Sequence, residues 1–313
     1  MPVRLDQLTK RFDATVAVDR VSLAIRPGEL LVVAGAPGSG KSTLLRLLAG
    51  MDEPSGGAVV AGEMKLVAGA ADRPIAFGSL AGAGASGAGA LDGTSASGVA
   101  GPLPAGPDSC LLLDEPLASL RGPERTAARD ELRALPATSG AAVVCAMDAG
   151  DEADALAVAD RIAVLHEGRL RQCGTPAEVV DAPADEVVAT FFGRPRINLV
   201  PAILEKDGQA ILLGNQTVSL AGRIDETFCR DVTLGIRPEH VRLTQDGAGL
   251  RGRVRSTEPG DGSTLVQVTV EGVSIRAADP GGAPLRAGDA VRMRVDPRRY
   301  IVFDDQGVRL EQR

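Results

Sequence analysis

The sequence predicts an α/β fold with a mostly parallel sheet covered on both faces, and three observations support this prediction. Short apolar runs rich in β-branched residues alternate along the chain with amphipathic helical segments, which is typical of parallel sheets. The run from Glu29 to Ala34 indicates a buried strand, and the Leu-rich segment from Ser42 to Ala49 indicates a helix that ends at Gly50. A glycine-rich loop joins this strand to this helix.

That loop has the form of a phosphate-binding P-loop, and its nine residues are Gly35, Ala36, Pro37, Gly38, Ser39, Gly40, Lys41, Ser42 and Thr43. Glycines allow successive backbone N–H groups to surround a phosphate, and the helix N-terminus adds its positive dipole end. Lys41 would reach the β- and γ-phosphate oxygens, and the Ser42 hydroxyl would hold Mg²⁺. The sequence therefore predicts a nucleotide site at residues 35–43, rather than a glycine turn with an incidental lysine.

Two strands are predicted before the loop, from Val3 to Leu8 and from Thr15 to Ile25. Phe12 lies just before the second strand, in a chain that has only six Phe, one Tyr and no Trp. Its ring offers a flat surface on which a base could stack. An ordinary core or loop role for Phe12 is an equally open alternative.

The composition changes after the predicted short strands between Ala58 and Val67. From Gly78 to Gly106, 21 of 29 residues are Gly, Ala or Ser, and Asp92 is the only charged residue. Such a segment buries too little surface to offset its ordering entropy, so the sequence predicts a flexible coil here.

A second candidate motif follows at Asp114 and Glu115, directly after the apolar run from Cys110 to Leu113. In P-loop nucleotidases a strand-end Asp holds the Mg²⁺ shell, and an adjacent carboxylate can orient the attacking water. The two acids could instead be solvated charges at a strand end.

The remaining pattern of the first half continues the alternation of strands and helices. The predicted elements are a helix at 123–135, a strand at 141–146, a helix at 151–158, a hairpin of strands 161–165 and 169–173, and a capping box at 175–178.

The composition of the chain limits the kinds of partner that it can bind. The 34 basic and 41 acidic residues give a net charge of −7, which argues against nucleic acid as the main partner. The four cysteines form no C-x-x-C pair, and no run of about 18 apolar residues could span a bilayer. We therefore expect a soluble, cytosolic protein that reaches a membrane only through a partner.

Taken together, these motifs resemble the ATP-binding subunits of ABC importers, most closely the maltose, multiple-sugar and polyamine group. The resemblance rests on the P-loop, on Leu111 to Leu117, and on Ala159 to Leu165 followed by Gly174-Thr175-Pro176. Farther on, the runs Gly235 to Val241 and Gly288 to Val291 resemble the all-β, OB-like TOBE regulatory domain of that group. The resemblance implies a nucleotide-binding domain at 1–194 and a TOBE domain at 195–313.

The resemblance also implies roles for particular residues. Phe12 would stack on adenine, Ser42 and Asp114 would bind Mg²⁺, and Glu115 would be the catalytic base of ATP hydrolysis. The implied partners are integral membrane permease subunits, a solute-binding protein and a second copy of the chain. The implied location is cytoplasmic, peripheral to the inner face of the cell membrane.

Several family motifs are missing or altered. The interval between Lys41 and Asp114 is several dozen residues too short to contain the family's helical subdomain, and it contains no glutamine. Residues 91–95 retain only part of the family's signature sequence and are called the worn signature here. Arg121 replaces an aspartate, and the switch histidine is replaced by Met147 or Gly150. His166 and His240 are expected to have ordinary roles, because neither is predicted at a strand end facing the P-loop. A nucleotide-binding regulatory protein that hydrolyses weakly or not at all is therefore the alternative function.

Overall fold

The computed structural model describes residues 3–60, 65–68, 106, 108–224, 230–245, 247–259, 263–279 and 285–313. Across these ranges the chain forms two compact units, Met1–Asp181 and Ala182–Arg313. The predicted coil at 78–106, apart from Gly106, and the worn signature at 91–95 lie outside the described residues.

The described residues of the first unit form two sheets and four helices. An antiparallel sheet has the order β2-β1-β4, and a six-stranded sheet has the order β5-β6-β7-β3-β8-β9. The strands are β1 (Val3–Phe12), β2 (Thr15–Ile25), β3 (Leu30–Ala34), β4 (Gly56–Val60), β5 (Lys65–Ala68), β6 (Ser109–Asp114), β7 (Ala142–Met147), β8 (Arg161–His166) and β9 (Arg169–Gly174). The helices are α1 (Lys41–Leu48), α2 (Gly122–Ser139), α3 (Glu152–Val158) and α4 (Pro176–Asp181).

The six-stranded sheet confirms the predicted parallel architecture. All its neighbouring strands pair in parallel except β8 and β9, which form the antiparallel hairpin expected from the sequence. Every residue of β3 is buried, as expected for a strand covered on both faces. Leu31 and Val33 share a core with Leu44 of α1, while α2 and α3 pack against the sheet through their own buried side chains.

The capping box at the start of α4 is confirmed. The backbone N–H of Thr175 donates to Glu178 Oε2 at 2.7 Å, and the backbone N–H of Glu178 donates to Thr175 Oγ1 at 3.3 Å. These bonds satisfy N–H groups that have no partner within the helix. The bond from the Thr175 backbone also lowers the pKa of the Glu178 carboxyl, because it stabilises the charged form.

The second unit is built from two antiparallel sheets that share one apolar core. The first, in the order β12-β11-β10-β13-β19-β20, contains β10 (Asn198–Leu204), β11 (Ala210–Leu213), β12 (Gln216–Ser219), β13 (Asp231–Ile236), β19 (Ile301–Phe303) and β20 (Arg309–Leu310). The second, in the order β14-β18-β15-β16-β17, contains β14 (Arg242–Thr244), β15 (Leu250–Pro259), β16 (Thr264–Val270), β17 (Val273–Asp279) and β18 (Ala290–Arg294). This arrangement agrees with the predicted all-β second domain.

The two compact units divide after Asp181. Helix α5 (Glu186–Phe191) belongs to the second unit, because Ala189 packs with Ile301 and Phe303 and the Glu186 N–H donates to Gly307 O at 2.9 Å. These contacts place residues 182–194 with the second compact unit. The domain boundary after residue 194, which the family resemblance implies, stays a prediction.

Asn198 joins the two sheets of the second unit through a buried side chain. Its amide nitrogen donates to Ile236 O and Arg276 O, both at 2.9 Å, and its Oδ1 accepts from the Arg276 N–H at 2.8 Å. One side chain thus satisfies backbone groups on β13 and β17.

We predict that Asn198→Ala lowers the free energy of unfolding by about 2–4 kcal/mol, because it leaves buried backbone groups without hydrogen-bond partners. Denaturant unfolding of the full chain would measure this loss. Asn215→Ala is the control, since Asn215 is exposed in the turn before β12. An equal effect of the two substitutions would show that the Asn198 bonds contribute nothing to stability.

Candidate nucleotide site

The order of the parallel strands determines where the candidate residues meet. Strand β3 lies between β7 and β8, and Ala34 pairs with both Met147 and Val164. Asp114, the last residue of β6, pairs with Ala146 of β7. The segments that follow β3, β6 and β7 therefore leave the sheet at the same edge, which is where ligands bind in open α/β sheets.

The P-loop runs from the end of β3 into α1 through positions that accept only glycine. Gly40 has a φ of 102°, and a Cβ atom there would lie 2.3 Å from Ala17 O. A Cβ atom at Gly35 would lie 2.5 Å from Leu165 O. The loop is thus packed between β2 and β8, which holds its backbone close to the cleft.

Lys41 is buried, with 4% of its side chain exposed, although it carries a charge. Its ammonium group donates to Gly35 O at 2.9 Å, to Ala36 O at 3.1 Å and to Asp148 Oδ1 at 2.5 Å. These three acceptors make burial of the charge tolerable. They also direct the ammonium group toward the inside of the P-loop.

A cleft of about 270 Å³ opens beside Lys41, and it brings together residues from four segments of the first unit. Its lining contains the outer part of the P-loop and two carboxylates. The lining residues are Ala17, Pro37, Gly38, Gly40, Lys41, Ser42, Thr43, Glu115 and Asp148.

Glu115 lines this cleft and has unusual backbone geometry and electrostatics. Its φ of 47° lies in the left-handed region, which non-glycine residues rarely adopt outside turns and functional sites. Desolvation raises the pKa of its carboxyl, and the charges of Asp148 and Asp114 raise it further, while Lys41 opposes them.

Asp114 offers a donor atom suited to a metal. Its Oδ1 is buried and has no hydrogen-bond partner among the described residues. A buried carboxylate oxygen without a partner is costly, and Mg²⁺ with its bound waters prefers such hard oxygen ligands. Ser42, at the start of α1, exposes its side chain in the cleft. Asp114 is not among the residues that line the cleft, so its binding of Mg²⁺ together with Ser42 stays a prediction.

Asp148 is the residue that sequence reasoning missed. It follows β7 directly and forms the ion pair with Lys41, 107 residues earlier in the chain. The available signal was an acidic residue immediately after a buried strand, the same signal that identified Asp114. It was not recognised because only the sheet order shows that β7 is the neighbour of the P-loop strand.

Phe12 lies outside the residues that line the cleft. It ends β1 and pairs with Thr15 at the tip of the hairpin whose second strand contributes Ala17. Its side chain is 47% exposed, and Lys10 Nζ lies 5.0 Å from the ring centre. The ring is thus accessible at the hairpin tip, and its stacking on adenine stays a prediction.

The altered motifs have local structural roles. Met147 ends β7 and is 1% exposed, so an apolar side chain fills a position proposed for the switch histidine. Arg121 donates to Ala118 O at 2.8 Å and to Leu120 O at 2.7 Å, and so stabilises the loop before α2. The expectation for His166 was wrong in one respect, because His166 is the last residue of β8 and lies at the same sheet edge as the P-loop. Its side chain does not line the cleft.

We predict that Glu115→Gln increases stability at neutral pH but not in acid. The folded pKa of Glu115 lies above its ordinary value of 4.5, so the favourable contribution of the protonated form is complete below 4.5 and is lost as the pH rises through the folded pKa. Glutamine stays neutral throughout. Melting temperatures of both proteins measured from pH 4 to 8 should therefore diverge as the pH rises, and parallel curves would contradict the raised pKa.

Comparison with known families matches three parts of the chain. Residues 18–75 match the ABC transporter family, residues 193–241 match the MalK OB fold domain, and residues 234–303 match the TOBE domain. Among the described helices, none combines the length and apolar composition that crossing a bilayer requires.

Similar proteins match over nearly the whole chain. An ABC transporter ATP-binding protein of Sinorhizobium fredii is 31% identical over 334 residues, covering 92% of this chain and 89% of that protein. A sulfate/thiosulfate import ATP-binding protein of Chromobacterium violaceum is 32% identical, covering 85% and 83%. An alpha-glucoside transport ATP-binding protein of Rhizobium meliloti is 30% identical over 358 residues, covering 97% of each.

The alignments of 334 and 358 positions exceed the 313 residues of this chain, so those relatives contain residues that have no counterpart here. The matches to the N-terminal and C-terminal families nevertheless follow the same order as the two units of the fold. The chain belongs to the family of ABC transporter ATP-binding proteins and carries a TOBE domain in its C-terminal unit.

Proposed function

We propose that this protein binds Mg-ATP at residues 35–43 and serves as the nucleotide-binding subunit of an import system. The observation that carries the proposal is the convergence of Lys41, Ser42, Glu115 and the glycine-rich loop on one cleft at the edge of the parallel sheet. Import is inferred from the names of the relatives, which include sulfate/thiosulfate and alpha-glucoside systems.

The assembly that this function needs follows from the family. The nucleotide-binding subunit would form a homodimer and dock onto integral membrane permease subunits at the inner face of the cell membrane. A solute-binding protein would deliver the solute. Because the solute is selected by those partners, the residues of this chain do not define it.

Each predicted site residue has a definite task in this proposal. The loop N–H groups and the α1 N-terminus would bind the β-phosphate, and Lys41 would neutralise the β- and γ-phosphate oxygens. Ser42 and Asp114 would hold Mg²⁺, which supplies charge neutralisation between the phosphates when bound. Phe12 would stack on the adenine, and Glu115 would orient the attacking water as its base.

A weakly hydrolysing protein is the second candidate, and two observations favour it. Met147 occupies a position proposed for the switch histidine, and burial together with the charges of Asp148 and Asp114 raises the pKa of the Glu115 carboxyl. A raised pKa reduces the ionised fraction of the group that would accept a proton from water. Loss of one preorganised group at the developing charge costs about 10²–10³ in rate, so slow turnover is compatible with normal binding.

We predict that Lys41→Ala weakens Mg-ATP and Mg-ADP binding at least about tenfold, because a buried cation that meets the phosphates is removed. Isothermal titration calorimetry on the full chain would measure both affinities. Lys206→Ala is the matched control, since Lys206 is exposed in a turn of the second unit. Equal nucleotide affinity in the wild type and Lys41→Ala would refute the proposed site.

We also predict slow single-turnover hydrolysis that Met147→His alone does not accelerate, because the helical segment and the signature motif would still be missing or altered. Rapid-quench measurement of phosphate release from radiolabelled ATP would test both statements. A fast rate in the wild type, abolished by Glu115→Gln, would show instead that Glu115 is an active base.

A further inference from the structure

Lys41 has no donor left for a phosphate. Its ammonium group has three N–H bonds, and they are directed to Gly35 O, Ala36 O and Asp148 Oδ1. A phosphate oxygen that binds Lys41 must therefore replace one of these three acceptors.

Asp148 is the acceptor that can move. The two carbonyl oxygens belong to the P-loop backbone, which is held between β2 and β8 by the close contacts of Gly35 and Gly40. The Asp148 side chain is 30% exposed and lies on the short connection between β7 and α3, where its carboxylate can rotate toward solvent.

Asp148 shares the cleft with the residues that would handle the terminal phosphate. Its carboxylate accepts from the Lys41 ammonium group, and it lines the cleft together with Glu115. In the proposed function Lys41 binds the β- and γ-phosphate oxygens, and Glu115 orients the water that attacks the γ-phosphate. In that function the γ-phosphate would therefore lie against the Asp148 carboxylate.

The charges around this position are unbalanced. Glu115 and Asp114 also act on the same region, and Lys41 is the cation that faces them. A third phosphate group would add negative charge next to these carboxylates, whereas a diphosphate ends before it reaches them.

We propose that Asp148 is a specificity-determining residue, which makes the cleft favour a nucleoside diphosphate over the corresponding triphosphate. The proposal rests on the proposed nucleotide binding at residues 35–43. In either nucleotide a β-phosphate oxygen has to replace one acceptor of the Lys41 ammonium group. ATP in addition brings its γ-phosphate against the Asp148 carboxylate, so the triphosphate meets the larger repulsion.

The substitution Asp148→Asn tests this assignment, because it removes the charge and keeps the size of the side chain. Dissociation constants for ADP and for a non-hydrolysable ATP analogue are measured by calorimetry on the full chain with Mg²⁺ present. In the wild type ADP should bind more tightly. In Asp148→Asn the ratio of the two constants should shift about tenfold toward the triphosphate, as expected for removing one like charge from a partly exposed site.

Two further variants distinguish the effect of charge in the cleft on the nucleotide preference from the effect of charge elsewhere in the unit. Asp148→Glu keeps the negative charge and should keep the preference for ADP. Asp52→Asn removes an equal charge from the same unit, where Asp52 pairs with Arg46 at the other end of α1, and should leave the ratio unchanged.

The outcomes distinguish this inference from the proposed function. Absence of binding for both nucleotides in the wild type would refute the proposed function itself. Binding of both nucleotides with an unchanged ratio in Asp148→Asn would overturn the role of Asp148 alone. If Asp148→Asn does not fold, the wild type still decides, because tighter binding of the triphosphate analogue than of ADP overturns the proposal.

Discussion

The pairing of β3 with β7 on one side and β8 on the other is the constraint on which the candidate site depends. It places the residue before the P-loop opposite both Met147 and Val164, so the segments after these strands begin at the same edge. Because side chains alternate along a strand, a slip of one residue in either ladder would reverse the faces of that strand. The ion pair between Lys41 and Asp148 exists only in the observed register.

This edge concentrates negative charge near the buried cation of Lys41. Asp114, Glu115 and Asp148 lie at the ends of two adjacent strands, and Lys41 is bonded to Asp148 from the P-loop. Burial raises the pKa of the Glu115 carboxyl, and the neighbouring charges of Asp148 and Asp114 raise it further. The left-handed backbone of Glu115 adds local strain, of the kind that folded proteins retain mainly at functional sites.

Local patterns in the sequence predicted much of the fold. The apolar run of β3, the P-loop, the hairpin of β8 and β9 and the capping box at Thr175 each depend on neighbouring residues, so periodicity and spacing identify them. Asp148 could not be identified in this way, because its partner Lys41 lies 107 residues away and strand order is not visible in a local pattern. The position of His166 at the sheet edge was missed for the same reason.

Nucleotide binding and nucleotide hydrolysis require different parts of this site, and the chain retains them unequally. Binding depends on the loop backbone, which is held by packing against β2 and β8, and on Lys41, which is bonded to two loop carbonyls and to Asp148. Hydrolysis requires an ionised base and further groups placed around the γ-phosphate, whereas Met147 is apolar and buried and the pKa of the Glu115 carboxyl is raised. Substitutions after β7 therefore change the chemistry at the γ-phosphate, while the phosphate-binding backbone of the P-loop is unchanged.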